Sequence, residues 1–397
     1  MRFYIILLLP FSLFGVELST LIENAKDTHT SIRAIEQRVS AVDDEYDISR
    51  NFSNPELSLN VSDIQLNDIS DRSIEPMQYT SVNFKQKIPY FGKRDANSKK
   101  VSAKKQKISL TIDEAKVKLV KAIKTTAYSI WQVEQVLRIT DEYIRLTKQN
   151  IELYSAYSSS DTSSHMSIMS AEMSLSQLKI KRSNLESSST SLYKKLSYLS
   201  AVDVNSVELK MQVIPPKDIS FYTNAKNENS SYRIKEAELE ESYADIKVKE
   251  MNSYVDPVLQ VGYYHRENFE NYVNVGVGFS LPIYGSEKSR TEISRKLSLS
   301  SKAQLSDLGN LIDSEITQNY AQLEDSYKVY DIIQNQSMPQ IEHMFELSSS
   351  SIKSGNELFI YINLLEKKLS LDEQSIGVVT SYYKTLAKLD ALIGKIK

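Results

Sequence analysis

The segments FKQKIPYFGKR (Phe84–Arg94) and FSLPIYGSEKSR (Phe279–Arg290) make the same transition twice. Each passes from alternating residues through Pro-x-x-Gly into a charged, helix-prone stretch, with Pro89 and Gly92 in the first and Pro282 and Gly285 in the second. The Pro-to-Pro and Gly-to-Gly separations are identical, so the chain repeats itself half its length apart. Proline lacks the N–H for another ladder bond and holds the residue before it extended. Glycine supplies the free backbone angles for a turn into a helix. Any fold for this chain must therefore contain two equivalent strand-to-helix junctions.

The rest of the sequence arranges itself around these junctions. Residues 16–200 read as one helix–hairpin–helix–helix repeat and residues 227–397 as a second, joined by a linker over 201–226 that contains Pro215 and Pro216. In the first repeat a helical stretch, Leu18–Arg50, leads to NPELSLNVSD (Asn54–Asp63) and then YTSVNFKQKIP. In the second, Asn229–Tyr254 leads to DPVLQVGYYH and YVNVGVGFSLP. With 10 glycines and 9 prolines in 397 residues, long stretches have no breaker, which favours long helices. Ile123, Ile130, Leu137, Ile144 and Ile151 recur in heptads, with Thr126, Val133, Thr140, Thr147 and Tyr154 between them. Leu175, Leu178, Leu185, Leu192, Leu196 and Leu199 form another seam, and Ile362, Leu365, Leu369, Ile376, Val379, Tyr383, Leu386 and Ile393 a third. A continuous helix from Lys93 to Tyr157 would run about 95 Å.

The strand candidates carry a different pattern. Val273, Val275, Val277, Phe279 and Leu281 share one face, and Asn274, Gly276, Gly278 and Ser280 the other. Leu259, Val261 and Tyr263 alternate likewise, as do Leu57, Leu59 and Val61, whereas Lys85-Gln86-Lys87 dilutes the fourth segment. Such alternation fits transmembrane β-strands with an apolar face to lipid and a polar face to a wet lumen. A half-buried soluble hairpin is the ordinary alternative for any one segment; four in repeat-related positions favour the membrane reading. Four strands cannot close, and an open edge in lipid leaves backbone groups unsatisfied, so the barrel must be shared among copies.

The N-terminus, MRFYIILLLPFSLFG, reads as a signal peptide over residues 1–15, its apolar run from Phe3 to Phe14 too short to span a bilayer. No later segment is long and apolar enough to be a membrane helix. The absence of cysteine excludes disulfides, thiolate chemistry and a lipidated N-terminal cysteine. His29, His165, His265 and His343 are scattered without a zinc-hydrolase motif. No nucleophile–base pairing or phosphate loop is present, which leaves no catalytic, cofactor-binding or metal residue to nominate. A net charge of −3 offers no field for nucleic acid. The lysines between Lys93 and Lys107 read as a solvated helix face.

On these residues the chain resembles the outer-membrane efflux protein family, the TolC-like channels. The resemblance spans nearly all of the mature chain. It rests on the duplicated plan, the strand entries at Pro55 and Pro257, the exits QKIPYFGKR and SLPIYG, and the last helix, SGNELFIYINLLEKKLSLDEQSIGVVTSYYKTLAKLDALIGK. It implies a mainly α fold with a membrane β-barrel: four β-strands per chain, a shared twelve-stranded barrel in a homotrimer, and a long coiled-coil helical tunnel. It also implies the outer membrane of a Gram-negative bacterium, with the helical body in the periplasm, docked to a periplasmic adaptor and an inner-membrane pump. Two departures stand out: there is no lipidated cysteine, and NAKD (Asn24–Asp27) replaces the usual Asn-Pro of the first helix. The function expected is an exit duct of a tripartite efflux pump, with type I secretion and heavy-metal cation efflux both open. The rival from another class is a periplasmic structural or adaptor coiled-coil protein.

The turns Tyr157–Ser167 and Ser348–Phe359 hold the charges available for a periplasmic gate: Asp161, Lys353 and Glu357. Charges repeated around a symmetry axis tune ion passage. The simpler reading of each is a solvated helix turn, with Asp or Ser as N-cap and Gly355 as C-cap. Met166, Met169 and Met173, beside His165, present thioethers suited to soft cations. A second packing stripe on a helix with two flanks is the stronger explanation.

Overall fold

The computed structural model describes residues 16–67, 69–157, 162–349 and 355–395. The apolar leader lies outside them. The order of elements is β1 (Val16–Glu17), α1 (Leu18–Thr28), α2 (Thr30–Arg50), β2 (Glu56–Ser62), β3 (Tyr79–Lys87), α3 (Lys93–Tyr157), α4 (Thr162–Ser200), β4 (Val207–Glu208), α5 (Ser220–Thr223), α6 (Ser230–Met251), β5 (Pro257–His265), β6 (Tyr272–Phe279), α7 (Ser286–Ile332), α8 (Met338–Ser349) and α9 (Gly355–Leu392). The breaker-free run from Lys93 to Tyr157 is one helix of 65 residues, as the sequence requires. No helix among the described residues is long and apolar enough to cross a membrane.

Two compact units emerge. The hairpin unit comprises Ala34–Ile112 and Ser231–Gly309, and the helical unit takes the remaining described residues. Each unit draws on both sequence repeats.

In the hairpin unit β2, β3, β5 and β6 form one antiparallel sheet in that order. The lysines between Lys93 and Lys107 are not simply solvated. Lys100 reaches Asp245 at 2.6 Å, Lys104 reaches Glu45 at 2.5 Å, Lys105 reaches Asp43 at 2.5 Å and Lys107 reaches Glu241 at 2.5 Å, so α3 is laced to α2 and α6. The Ser294 hydroxyl donates to Asp245 at 2.7 Å, bringing α7 into the same network.

The helical unit is held by apolar seams. Ile123 and Ile130 are fully buried, as their heptad register requires. Beyond them the most buried residues are Val136, Thr140, Tyr143, Thr147 and Tyr154, while Leu137, Ile144 and Ile151 lie half-buried on the flank. The seam line Thr126, Thr140, Thr147 and Tyr154 stays buried, and Val136 and Tyr143 are buried beside it in place of Leu137 and Ile144. Tyr143, Tyr154, Ala171, Leu178, Ile362, Leu365 and Leu369 make one core joining α3, α4 and α9. Towards the C-terminus Tyr382, Thr385 and Leu389 are buried in place of Tyr383 and Leu386.

Two equivalent side chains secure the helix ends. Asn24 donates to the carbonyl of Ser200, the last residue of α4, at 2.8 Å. Asn229 donates to the carbonyl of Leu392, the last residue of α9, at 2.9 Å. Each satisfies a carbonyl that has no intrahelical partner. The linker is tied down as well: β4 pairs with β1, and the Tyr382 and Tyr383 hydroxyls donate to the carbonyls of Ile214 and Gln212, both at 2.8 Å. A π turn, Ile333–Ser337, separates α7 from α8 just before Pro339, where the missing N–H interrupts regular helical bonding.

Candidate membrane-spanning sheet and its helical junctions

Directly paired residues of antiparallel strands project to the same face. The observed register therefore assembles rows across all four strands. Leu57, Phe84, Val261 and Val275 form one row, and Leu59, Val82, Tyr263 and Val273 the next. Leu259 and Val277 extend this apolar face. Nothing among the described residues covers it: Leu59 is 72% exposed and Val275 70%. The opposite face carries Ser58, Asn83, Gly262 and Asn274 in one row and Asn60, Ser81, Tyr264 and Tyr272 in another. Lys85 and Lys87 fall on this polar face, and Gln86, Thr80 and His265 are the polar residues of the paired strands on the apolar one. The strand that looked diluted in sequence thus obeys the same division.

Gly262 is the tight point of the polar face. A Cβ there would collide with the Asn83 Oδ1 and lie 2.8 Å from the Tyr264 ring, whereas Gly276 and Gly278 face open space. Tyr264 stacks on Tyr272 with ring centres 4.6 Å apart.

At the first junction β3 ends at Lys87 and α3 begins at Lys93, with Pro89 and Gly92 between. Gly92 has φ +90°, a conformation that an L side chain strains to adopt. At the second, β6 ends at Phe279 and α7 begins at Ser286, with Pro282 and Gly285 between, and Gly285 has φ +71°. Phe91 and Tyr284, which occupy equivalent positions before these glycines, are 93% and 90% exposed.

Asp256, the residue before β5, organises the first junction. Its carboxylate accepts the Tyr90 N–H at 2.8 Å and lies 2.7 Å from the Lys93 ammonium and 3.3 Å from that of Lys87. Lys93 also donates to the Tyr254 carbonyl at 2.7 Å, and the Tyr90 and Tyr254 rings stack at 4.6 Å. Lys93 is therefore a buried junction residue rather than part of a solvated face, and sequence reading missed Asp256 altogether. The available signal was the Asp-Pro entry to β5 where the first repeat has Asn54-Pro55.

Asp161 and Lys353 lie outside the described residues, and Glu357 falls within α9 with its side chain undescribed. Gly355 opens α9 instead of capping the preceding helix. Met166, Met169 and Met173 are exposed, on the side of α4 away from the buried Ala171 and Leu178. In the helical unit the Tyr143 hydroxyl donates to Asp372 at 3.0 Å. Burial pushes the Asp372 carboxyl above its ordinary range, with the Tyr143 bond acting against it.

No family model matches the chain, and no curated protein matches it. Its fold is shared with solved outer-membrane proteins. The open-state outer membrane channel MtrE of Neisseria gonorrhoeae superposes with a TM-score of 0.78 at 15% identity, over 96% of this chain and 89% of that one. CusC, solved in a study of its folding and transmembrane channel formation, matches at 0.78 and 12% identity, over 96% and 95%. The outer membrane protein VceC of Vibrio cholerae matches at 0.77 and 12% identity, over 95% and 96%. The chain carries the fold of the TolC-like outer-membrane channels.

Proposed function

We propose that the chain is the outer-membrane exit duct of a tripartite efflux pump. In this reading the sheet inserts into the outer membrane with its apolar face to lipid, and the long helices form a tunnel in the periplasm. Three copies complete a twelve-stranded barrel, while an adaptor and an inner-membrane pump supply substrate and energy. Conduction is passive. The observation that carries the reading is the uncovered apolar face of a four-stranded sheet whose outer strands, β2 and β6, have no further neighbour among the described residues. In water such a face would aggregate, and in lipid its two edges must pair with other copies.

Membrane fractionation followed by planar-bilayer recording tests this. The purified protein should come from the outer-membrane fraction, behave as a trimer in detergent by light scattering and give stepwise conductance. A protein recovered in the soluble periplasmic fraction without conductance would instead be a structural or adaptor coiled coil.

A further inference from the structure

We infer that a second copy of this chain adds its β2 to the open edge of β6 in one register, with Gly276 opposite Asn60, repeating between copies the seam that joins β3 to β5 within each chain. This rests on the shared-barrel reading and adds the register and the residues that meet.

The two hairpins are copies of one another in register. Leu57 pairs with Phe84, and their repeat counterparts Leu259 and Val277 pair as well. Ser58 pairs with Asn83, and so do their counterparts Gln260 and Gly276. Here Pro55 corresponds to Pro257 and Pro89 to Pro282, and the longer loop of the first hairpin absorbs the difference in spacing. Within the chain the hairpins meet through β3 and β5, with Asn83 opposite Gly262 and Phe84 opposite Val261. The same correspondence applied once more sets β6 beside a β2, with Gly276 opposite Asn60, Val277 opposite Leu59 and Val275 opposite Val61.

This register continues both faces of the sheet. Leu59 and Val61 extend the apolar side, and Asn60 joins the small and polar residues of the other. A slip of one residue would turn every side chain to the wrong face. A slip of two preserves the faces but breaks the repeat correspondence at the junctions. Within the chain Asp256 meets Lys87 and Lys93, and the Ile88 N–H donates to the Pro257 carbonyl at 2.8 Å. The counterparts are Asn54, Ser280, Ser286, Leu281 and Pro55. The carboxylate and both its ammonium partners have been replaced together, by an amide and two hydroxyls. Such a joint loss of charge is expected if Asn54 of the second copy sits against the β6–α7 junction.

The chain has no cysteine, so introduced pairs report the seam without background. The test compares Asn60→Cys combined with Gly276→Cys, Gly278→Cys or Asn274→Cys, oxidised in outer membranes and run without reductant. A disulfide needs Cα atoms within about 4.4–6.8 Å, and a two-residue slip moves partners by about 7 Å. The Gly276 pair should cross-link into multimers at least about tenfold faster than either offset pair. Faster cross-linking of an offset pair overturns the register and leaves the duct standing. Absence of cross-links in all three, with conductance retained, overturns pairing of these edges. Absence of both cross-links and conductance in inserted, folded protein overturns the duct reading with it.

Discussion

The Lys93 ammonium lies 2.7 Å from the Asp256 carboxylate, tying the first residue of α3 to the residue that enters β5. Both side chains are largely buried, so removing one strands the other in a poorly hydrated site. Asp256→Ala should cost about 2–4 kcal/mol, moderated because Lys93 keeps the Tyr254 carbonyl. Asp256→Asn should cost less, since an amide oxygen can still accept the Tyr90 N–H. Thermal unfolding of the detergent-solubilised protein measures both. Equal losses would mean that the backbone bond contributes nothing.

The division of the sheet into two faces predicts opposite outcomes for neighbouring strand residues. Val277→Arg puts a charge on the apolar face and should cost about 2–4 kcal/mol per copy near the bilayer midplane. Asn274→Arg lies on the polar face and should be tolerated. Quantitative immunoblotting of outer membranes reads the difference, and equal abundance of the two variants would reverse the face assignment.

Glycines should separate by conformation and space. Gly262→Ala forces a Cβ against Asn83 and Tyr264 and should destabilise by about 1–3 kcal/mol. Gly276→Ala and Gly278→Ala meet nothing within their own chain and should each cost less than Gly262→Ala. Gly92→Ala and Gly285→Ala impose a left-handed backbone on a residue with a side chain and should each cost about 1–2 kcal/mol. A single heat-denaturation series over the five variants tests the ranking.

Acidification should act through Asp372. Burial raises its carboxyl, the Tyr143 bond and Lys368 oppose that rise, and Glu142 and Glu342 add to it. The folded state therefore holds this proton more tightly than the unfolded chain, and protonation stabilises the fold. As pH falls through the raised value towards the ordinary carboxylate range, wild type should gain Tm relative to Asp372→Asn. Above that value the difference should be constant. A relative loss by wild type on acidification would contradict the assignment.

For the gate, Asp161→Asn and Glu357→Gln should weaken cation preference and change single-channel conductance, because carboxylates repeated around the tunnel axis attract cations. If neither variant alters either quantity, the constriction lies elsewhere and the duct is unaffected.

Much of this architecture is legible in the chain because it follows local rules. Pro89, Gly92, Pro282 and Gly285 mark the junctions through backbone sterics alone, and the period-two and heptad patterns separate strand from helix without knowledge of neighbours. The helix from Lys93 to Tyr157 and all four strands of the large sheet could be read in this way. Tertiary structure decided what depends on partners distant in sequence. Whether Lys93 is solvated depends on Asp256, 163 positions away, and Lys85 and Lys87 make sense only once β3 is paired with β5. On α3 the line of Thr126, Thr140, Thr147 and Tyr154 kept its heptad register, while packing buried Tyr143 more deeply than Ile144, which lies against the same core. Sequence periodicity sets which residues could face one another, and packing across the chain chooses among them.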